Sequence, residues 1–82
     1  MHIIYIDDEK PALDNFRYTA EKLPEITDLD MFQDGYEALE FVKDHPVDVA
    51  FLDMEMPGLH GLELAKKLKM HDLDIRIVFV TA

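Results

Sequence analysis

Four stretches of the chain carry apolar residues at strand spacing, and three stretches between them carry apolar residues at helix spacing. His2–Ile6 is a short run rich in β-branched and aromatic residues, stopped by Asp7-Asp8, and reads as a buried strand. Pro11 sits where a helix can begin, since a missing N–H costs nothing at the first helical position. Leu13, Phe16, Ala20 and Leu23 follow at steps of three and four, one apolar stripe that Pro24 stops. Between Thr27 and Phe32, Asp28 and Asp30 alternate with Leu29 and Met31, the mark of a strand with one solvated face at a sheet edge. Asp34 offers an N-cap with Glu37 three residues on, and Ala38, Leu39 and Val42 supply the next helix with its buried face. Val47–Leu52 is again apolar, broken by Asp48, and ends on Asp53. Met54–Gly58 forms a loop into a third helix over roughly residues 59–70, with Leu62, Ala65 and Leu68 inward and Glu63 placed to pair with Lys66 and Lys67. Ile75–Val80 is the last strand and closes on Thr81-Ala82. The order βαβαβαβ, with crossovers long enough for parallel strands, predicts an α/β parallel sheet.

Composition narrows this picture. Eighty-two residues make a single small domain, residues 1–82, with no repeat or linker. Zero cysteines exclude a disulfide framework and a thiolate metal site. No apolar run exceeds the four residues of Val49–Leu52 or Ile77–Val80, far short of the roughly 20 a spanning helix requires. The N-terminus has neither a basic region nor a small-residue cleavage site, so a cytoplasmic home is expected. Eighteen acidic against eight basic residues leave a formal charge of −10, which repels nucleic acid and favours cations or basic partner surfaces. His2, His45, His60 and His71 share no spacing and read as surface or strand-end residues; the five methionines read as packing.

The acids at strand ends carry the chemistry. In an open parallel sheet, ligands bind outside the carboxyl ends of the strands, near the point where strand order reverses. Asp7 and Asp8 leave the first strand and Asp53 leaves the third, so they converge if those strands are neighbours. Like charges at that spacing repel unless a cation neutralises them. Hard oxygen donors without His or Cys suit Mg²⁺ together with phosphate oxygens. The alternative is that these acids are solvated caps on loops and helix N-termini, where negative charge is favoured anyway. Thr81, ending the fourth strand at the same edge, offers a hydroxyl to a phosphoryl oxygen, or simply satisfies local backbone.

Three motifs, in order, resemble a known family: Tyr5-Ile6-Asp7-Asp8-Glu9, then Phe51 through Asp53-Met54-Glu55-Met56-Pro57-Gly58 to Gly61, then Val78-Phe79-Val80-Thr81-Ala82. Together they resemble the receiver domain of bacterial response regulators. The resemblance implies a flavodoxin-like doubly wound sheet in strand order 2-1-3-4. It implies Asp53 as phosphoacceptor, and Mg²⁺ held by Asp8, Asp53 and the Glu55 backbone carbonyl, with Asp7 acting through water. Thr81 is the implied switch hydroxyl with Ala82 leaving room beside it, Met56 and Pro57 shape the loop, and Gly61 permits the turn into the third helix. The implied partner is a histidine kinase or phosphotransfer protein, and the implied role is a phosphoacceptor switch more than an enzyme.

The family's lysine on a fifth strand has no counterpart among these residues, so the chain reads as a receiver truncated after its fourth strand, without the usual fourth helix, fifth strand and fifth helix. Lys10 lies on the wrong loop to replace that lysine. Independently of any family, Ile75–Val80 has the near-continuous apolar pattern of an interior strand although it comes last. A bare edge there predicts self-association, element exchange or a covering partner. Two other functions compete with the switch. One is an aspartate-nucleophile phosphohydrolase, with Glu55 in the acid/base position; the other is a structural or assembly module retaining a residual Mg²⁺ site.

Overall fold

A computed structural model describes residues 1–80. Seven elements alternate along the chain: β1 (His2–Ile6), α1 (Lys10–Ala20), β2 (Asp28–Phe32), α2 (Gly35–Val42), β3 (Val49–Asp53), α3 (Gly61–His71) and β4 (Arg76–Val80). The strands form one parallel sheet in the order β2-β1-β3-β4. This is the expected α/β architecture, with β2 on one edge.

Strand alternation divides the sheet into two faces. Ile4 and Ile6 of β1 and Ala50 and Leu52 of β3 point to one side and pack with Ala38, Val42, Leu64 and Leu68 of α2 and α3. On the other side lie Tyr5 and Phe51, against which the Phe16 ring of α1 packs at a tilt with ring centroids 4.4 and 5.0 Å away. Register pairs Phe51 with Val78 and Asp53 with Val80, which extends this second face onto β4. There Val78 is 41% exposed and no helix of the described residues lies over it.

Several local expectations are corrected. Helix α1 ends at Ala20 rather than running to Leu23, which is exposed. The residue before a proline is driven out of the helical region, so the helix closes ahead of Pro24 and Leu23 falls beyond its stripe. In α3 the inward residues are Gly61, Leu64, Ala65 and Leu68, while Leu62 is exposed. The phase is set by Gly61, where an added Cβ would lie 2.8 Å from the Met54 Cα and closer still to the Asp53 carbonyl oxygen. Among the described residues Glu63 forms no ion pair with Lys66 or Lys67; the close pairs are His2–Asp30, Lys10–Asp14 and Lys43–Glu40. Val47 and Ile75 are buried but precede their strands, because an apolar run marks burial and not ladder membership. The Asp34 N-cap forms as expected, its carboxylate accepting from the Tyr36 N–H at 2.9 Å.

Candidate functional site

Parallel pairing of β1 with β3 brings the ends of those strands side by side, with Ile6 opposite Leu52. The next residues along each strand are acids. One carboxylate oxygen from each of Asp7, Asp8 and Asp53 lies within 4.8 Å of the others, so the three converge as the strand-end reading requires. None of the three is in an ion pair with a Lys or Arg of the described residues. Lys10 is turned away to Asp14, at 3.1 Å.

The three acids are held differently. Asp7 is buried, 7% exposed, with its N–H donating to the Phe32 carbonyl at 3.0 Å in continuation of the β1–β2 ladder. Its Oδ1 accepts from the Glu9 N–H at 2.9 Å and its Oδ2 from the Tyr5 hydroxyl at 3.3 Å. Burial pushes the Asp7 carboxyl above the usual carboxylate range, and the charges of Asp53 and Asp8 push the same way against those two donors. Tyr5 is raised too, first by burial and then by the neighbouring Asp7 charge. Asp53 is half-buried, and its Oδ1 accepts from the Glu55 N–H at 3.1 Å. This two-residue loop contact repeats the Asp7–Glu9 arrangement and fixes the carboxylate by its own following backbone. Asp8, also half-buried, has its main-chain carbonyl tied to Gln33 Nε2 at 3.2 Å.

The loop after Asp53 is anchored at both ends. Met56 and Leu59, each 3% exposed, plug into the core beneath α2 and α3, while Pro57 and Glu55 are exposed. Gly58 takes φ +84°, a left-handed turn conformation that glycine adopts without steric cost. Gly61 donates its N–H to the Met54 carbonyl at 3.3 Å, and a Cβ there would collide with the Asp53 backbone. Thr81, the expected switch residue, and Ala82 lie outside the described residues.

Sequence reasoning passed over two residues at this site. Tyr5 precedes Asp7 by two, which in a strand places both on one face, so period two alone was the available signal. Gln33, just past the end of β2, carried none.

A model of the response regulator receiver domain matches residues 3–82. The chain belongs to that family. It is similar to the sensory transduction protein LytT of Oceanobacillus iheyensis, 33% identical across 100% of this chain and 34% of that protein. It is also similar to the transcriptional regulatory protein YpdB of Escherichia coli, 30% identical over 100% of this chain and 34% of the relative. The chain thus spans about a third of the length of these curated relatives. Among solved structures, the response regulatory domain of MrkE from Klebsiella pneumoniae superposes with a TM-score of 0.88 at 30% identity, covering 100% of this chain and 67% of that one. The flavodoxin-like receiver fold is therefore present in its first four strands. Receiver domains act in two-component signal transduction, meet histidine kinases or phosphotransfer proteins, and generally bind Mg²⁺ at an acidic pocket; the acidic cluster here is Asp7, Asp8 and Asp53. No helix of the described residues is long and apolar enough to cross a membrane.

Proposed function

We propose that the chain is a phosphoacceptor switch module that takes a phosphoryl group onto Asp53 from the phosphohistidine of a histidine kinase or phosphotransfer protein. The observation that carries this reading is the convergence of three carboxylates, with no Lys or Arg of the described residues paired to them, at the carboxyl ends of adjacent strands. Among them Asp53 is open enough to meet a donor and Asp7 is not. One Asp53 oxygen forms a bond to phosphorus as the P–N bond of the donor breaks, and the released electron pair stays on the imidazole, which is reprotonated from solvent.

The donor set fits Mg²⁺: hard carboxylate oxygens with no imidazole or thiolate among them, and a buried acid made costly by its neighbours' charge. Asp8, Asp53 and the Glu55 backbone carbonyl would hold the ion, with Asp7 reached through water. When bound, the ion supplies positive charge that offsets the carboxylates and the phosphoryl oxygens. The Glu55 N–H keeps the acceptor carboxylate oriented, and Met56 and Leu59 keep its loop seated. The Thr81 hydroxyl is the proposed switch contact, and the chain is a switch rather than a multiple-turnover enzyme.

Treatment with acetyl phosphate and Mg²⁺ followed by intact-mass spectrometry tests this. The expected result is a gain of one phosphoryl group that Asp53→Asn abolishes. Repeated turnover of a sugar phosphate would instead favour the phosphohydrolase, and an unlabelled chain that still binds Mg²⁺ would favour the assembly module.

A second reading concerns β4, which among the described residues pairs with β3 alone. The N–H and C=O groups along its other edge are a template for strand addition, supporting self-association through a second copy. Light scattering showing a folded monomer across the concentration range sinks that reading.

A further inference from the structure

We infer that Tyr5 is a positioning residue for the acid cluster, its hydroxyl setting the orientation of Asp7 from beneath the pocket. The inference rests on the Mg²⁺ reading above and names a residue that reading does not use. Each oxygen of the Asp7 carboxylate has its own donor: the Glu9 N–H on Oδ1 at 2.9 Å and the Tyr5 hydroxyl on Oδ2 at 3.3 Å. Two donors on two oxygens fix the plane of the carboxylate, not only its position. The backbone donor is supplied by the loop itself, so only the tyrosine donor depends on a side chain.

Packing does not require that hydroxyl. The Tyr5 ring is wedged between Phe16, 4.4 Å away by centroid, and Phe51, 6.4 Å away and nearly parallel. A phenylalanine would fill the same slot and keep both contacts. A buried tyrosine does need an acceptor, and a backbone carbonyl would serve. Here the acceptor is instead a member of the acid cluster, and the tyrosine is 4% exposed. Asp7 is thereby committed to internal donors on both sides, while no side chain of the described residues donates to the Asp8 or Asp53 carboxylates. That division leaves the Asp8 carboxylate and Asp53 Oδ2 free to meet an ion directly and fits the outer, water-linked role assigned to Asp7 above. Groups that orient metal-binding carboxylates from behind commonly change metal affinity by about 10- to 100-fold when removed.

The experiment is isothermal titration of Mg²⁺ into the protein and into Tyr5→Phe, with far-UV circular dichroism to confirm that both are folded. Affinity should fall about tenfold in Tyr5→Phe. A near-UV difference spectrum supplies a readout that a packing role would not move. The other two tyrosines, Tyr18 and Tyr36, are 64% and 58% exposed, so Tyr18→Phe/Tyr36→Phe leaves Tyr5 as the sole tyrosine at little structural cost. In that variant, Mg²⁺ should perturb the tyrosine absorption band, because an ion drawing on Asp7 alters the hydrogen bond its hydroxyl makes. Equal Mg²⁺ affinity in Tyr5→Phe and the unmodified protein overturns the inference, as does an unchanged tyrosine band in the sole-tyrosine variant at saturating Mg²⁺. Failure of the unmodified protein to bind Mg²⁺ at all is a different outcome: it overturns the metal reading, and the Tyr5 role with it.

Discussion

On the face of the sheet covered by α2 and α3, the side chains of Ile4, Ile6, Leu52, Leu64 and Leu68 are fully buried. On the α1 face, Tyr5, Phe16 and Phe51 border an open groove of about 590 Å³ that continues to Val78 and Val80. Both faces are built from large apolar residues of the same strands, and one is closed over β1 and β3 while the other is open over β3 and β4. The acids belong to the open side: Asp7 continues the phase of Tyr5, and Asp53 that of Phe51. The loop that carries Asp53 onward is nevertheless anchored on the closed side, through Met56 and Leu59. A rigid, dry face therefore fixes the backbone of the site, while on the open side Asp7 stays buried and the half-buried Asp53 carboxylate is within reach of solvent.

The largest expected effect comes from breaking the closed face. Leu64→Ala removes a fully buried side chain from the centre of that core, and such deletions cost about 2–5 kcal/mol. A chain of 82 residues has a total stability of roughly 4–12 kcal/mol at about 0.05–0.15 kcal/mol per residue. The variant should lose a large fraction of its folded population in urea titration followed by circular dichroism. A loss below about 1 kcal/mol would mean that the α2/α3 face is not the packed core.

The same contrast explains what was legible in the sequence. Period-two and period-3.6 patterns revealed all seven elements, because they record which side of each element is dry, and the acids at strand ends were legible because parallel strands bring their ends together. Helix phase was less legible: Leu62 and Leu64 are equally apolar, and the choice between them is made by the approach of Gly61 to the Asp53 backbone, a long-range contact. Leu23 failed similarly, since Pro24 acts on the residues ahead of it. The continuous apolar run in β4 announced burial on both sides, yet Val78 and Phe79 are 41% and 37% exposed. Such a pattern records what a strand needs, not what covers it. Tyr5 was read as core, which its ring is; its hydroxyl has a second role that hydrophobicity cannot register.

A smaller effect, of opposite sign, is expected at the boundary between the two faces. The Asp7 carboxyl is raised by burial and by Asp53 and Asp8, so the folded protein binds its proton more tightly than the unfolded chain does. The stability this group contributes is complete below the ordinary carboxylate range near pH ~4 and is lost as pH rises through the raised folded value. At neutral pH the ionised group is a net burden. Asp7→Asn should therefore raise the melting temperature at pH 7 by several degrees, as about 1 kcal/mol does in a domain of this size. The gain should fade as pH falls through the folded value, and saturating Mg²⁺ should narrow it by stabilising the unmodified protein more than the variant. A lower melting temperature for Asp7→Asn at neutral pH would show that the Glu9 and Tyr5 donors outweigh burial.

The smallest effect should come from the open face, where Val78→Thr matches Leu64→Ala as a test of what the groove contains. Valine and threonine are close in shape and both suit strands, so the substitution changes mainly the polarity of one side chain. At a position open to solvent, such changes stay within about 0.5 kcal/mol. Strand addition at the β4 edge would not alter that expectation, because it engages backbone groups and leaves the face of Val78 as it is. If the groove is filled in solution, the threonine hydroxyl is buried without a partner and the cost rises to about 1–3 kcal/mol. Filling by a second copy would also make the urea midpoint depend on protein concentration. A loss within about 0.5 kcal/mol, with a concentration-independent midpoint, establishes that the two faces differ in solution as they do in the fold. A larger, concentration-dependent loss abolishes the distinction and places a second copy of the chain over the tyrosine that steadies Asp7.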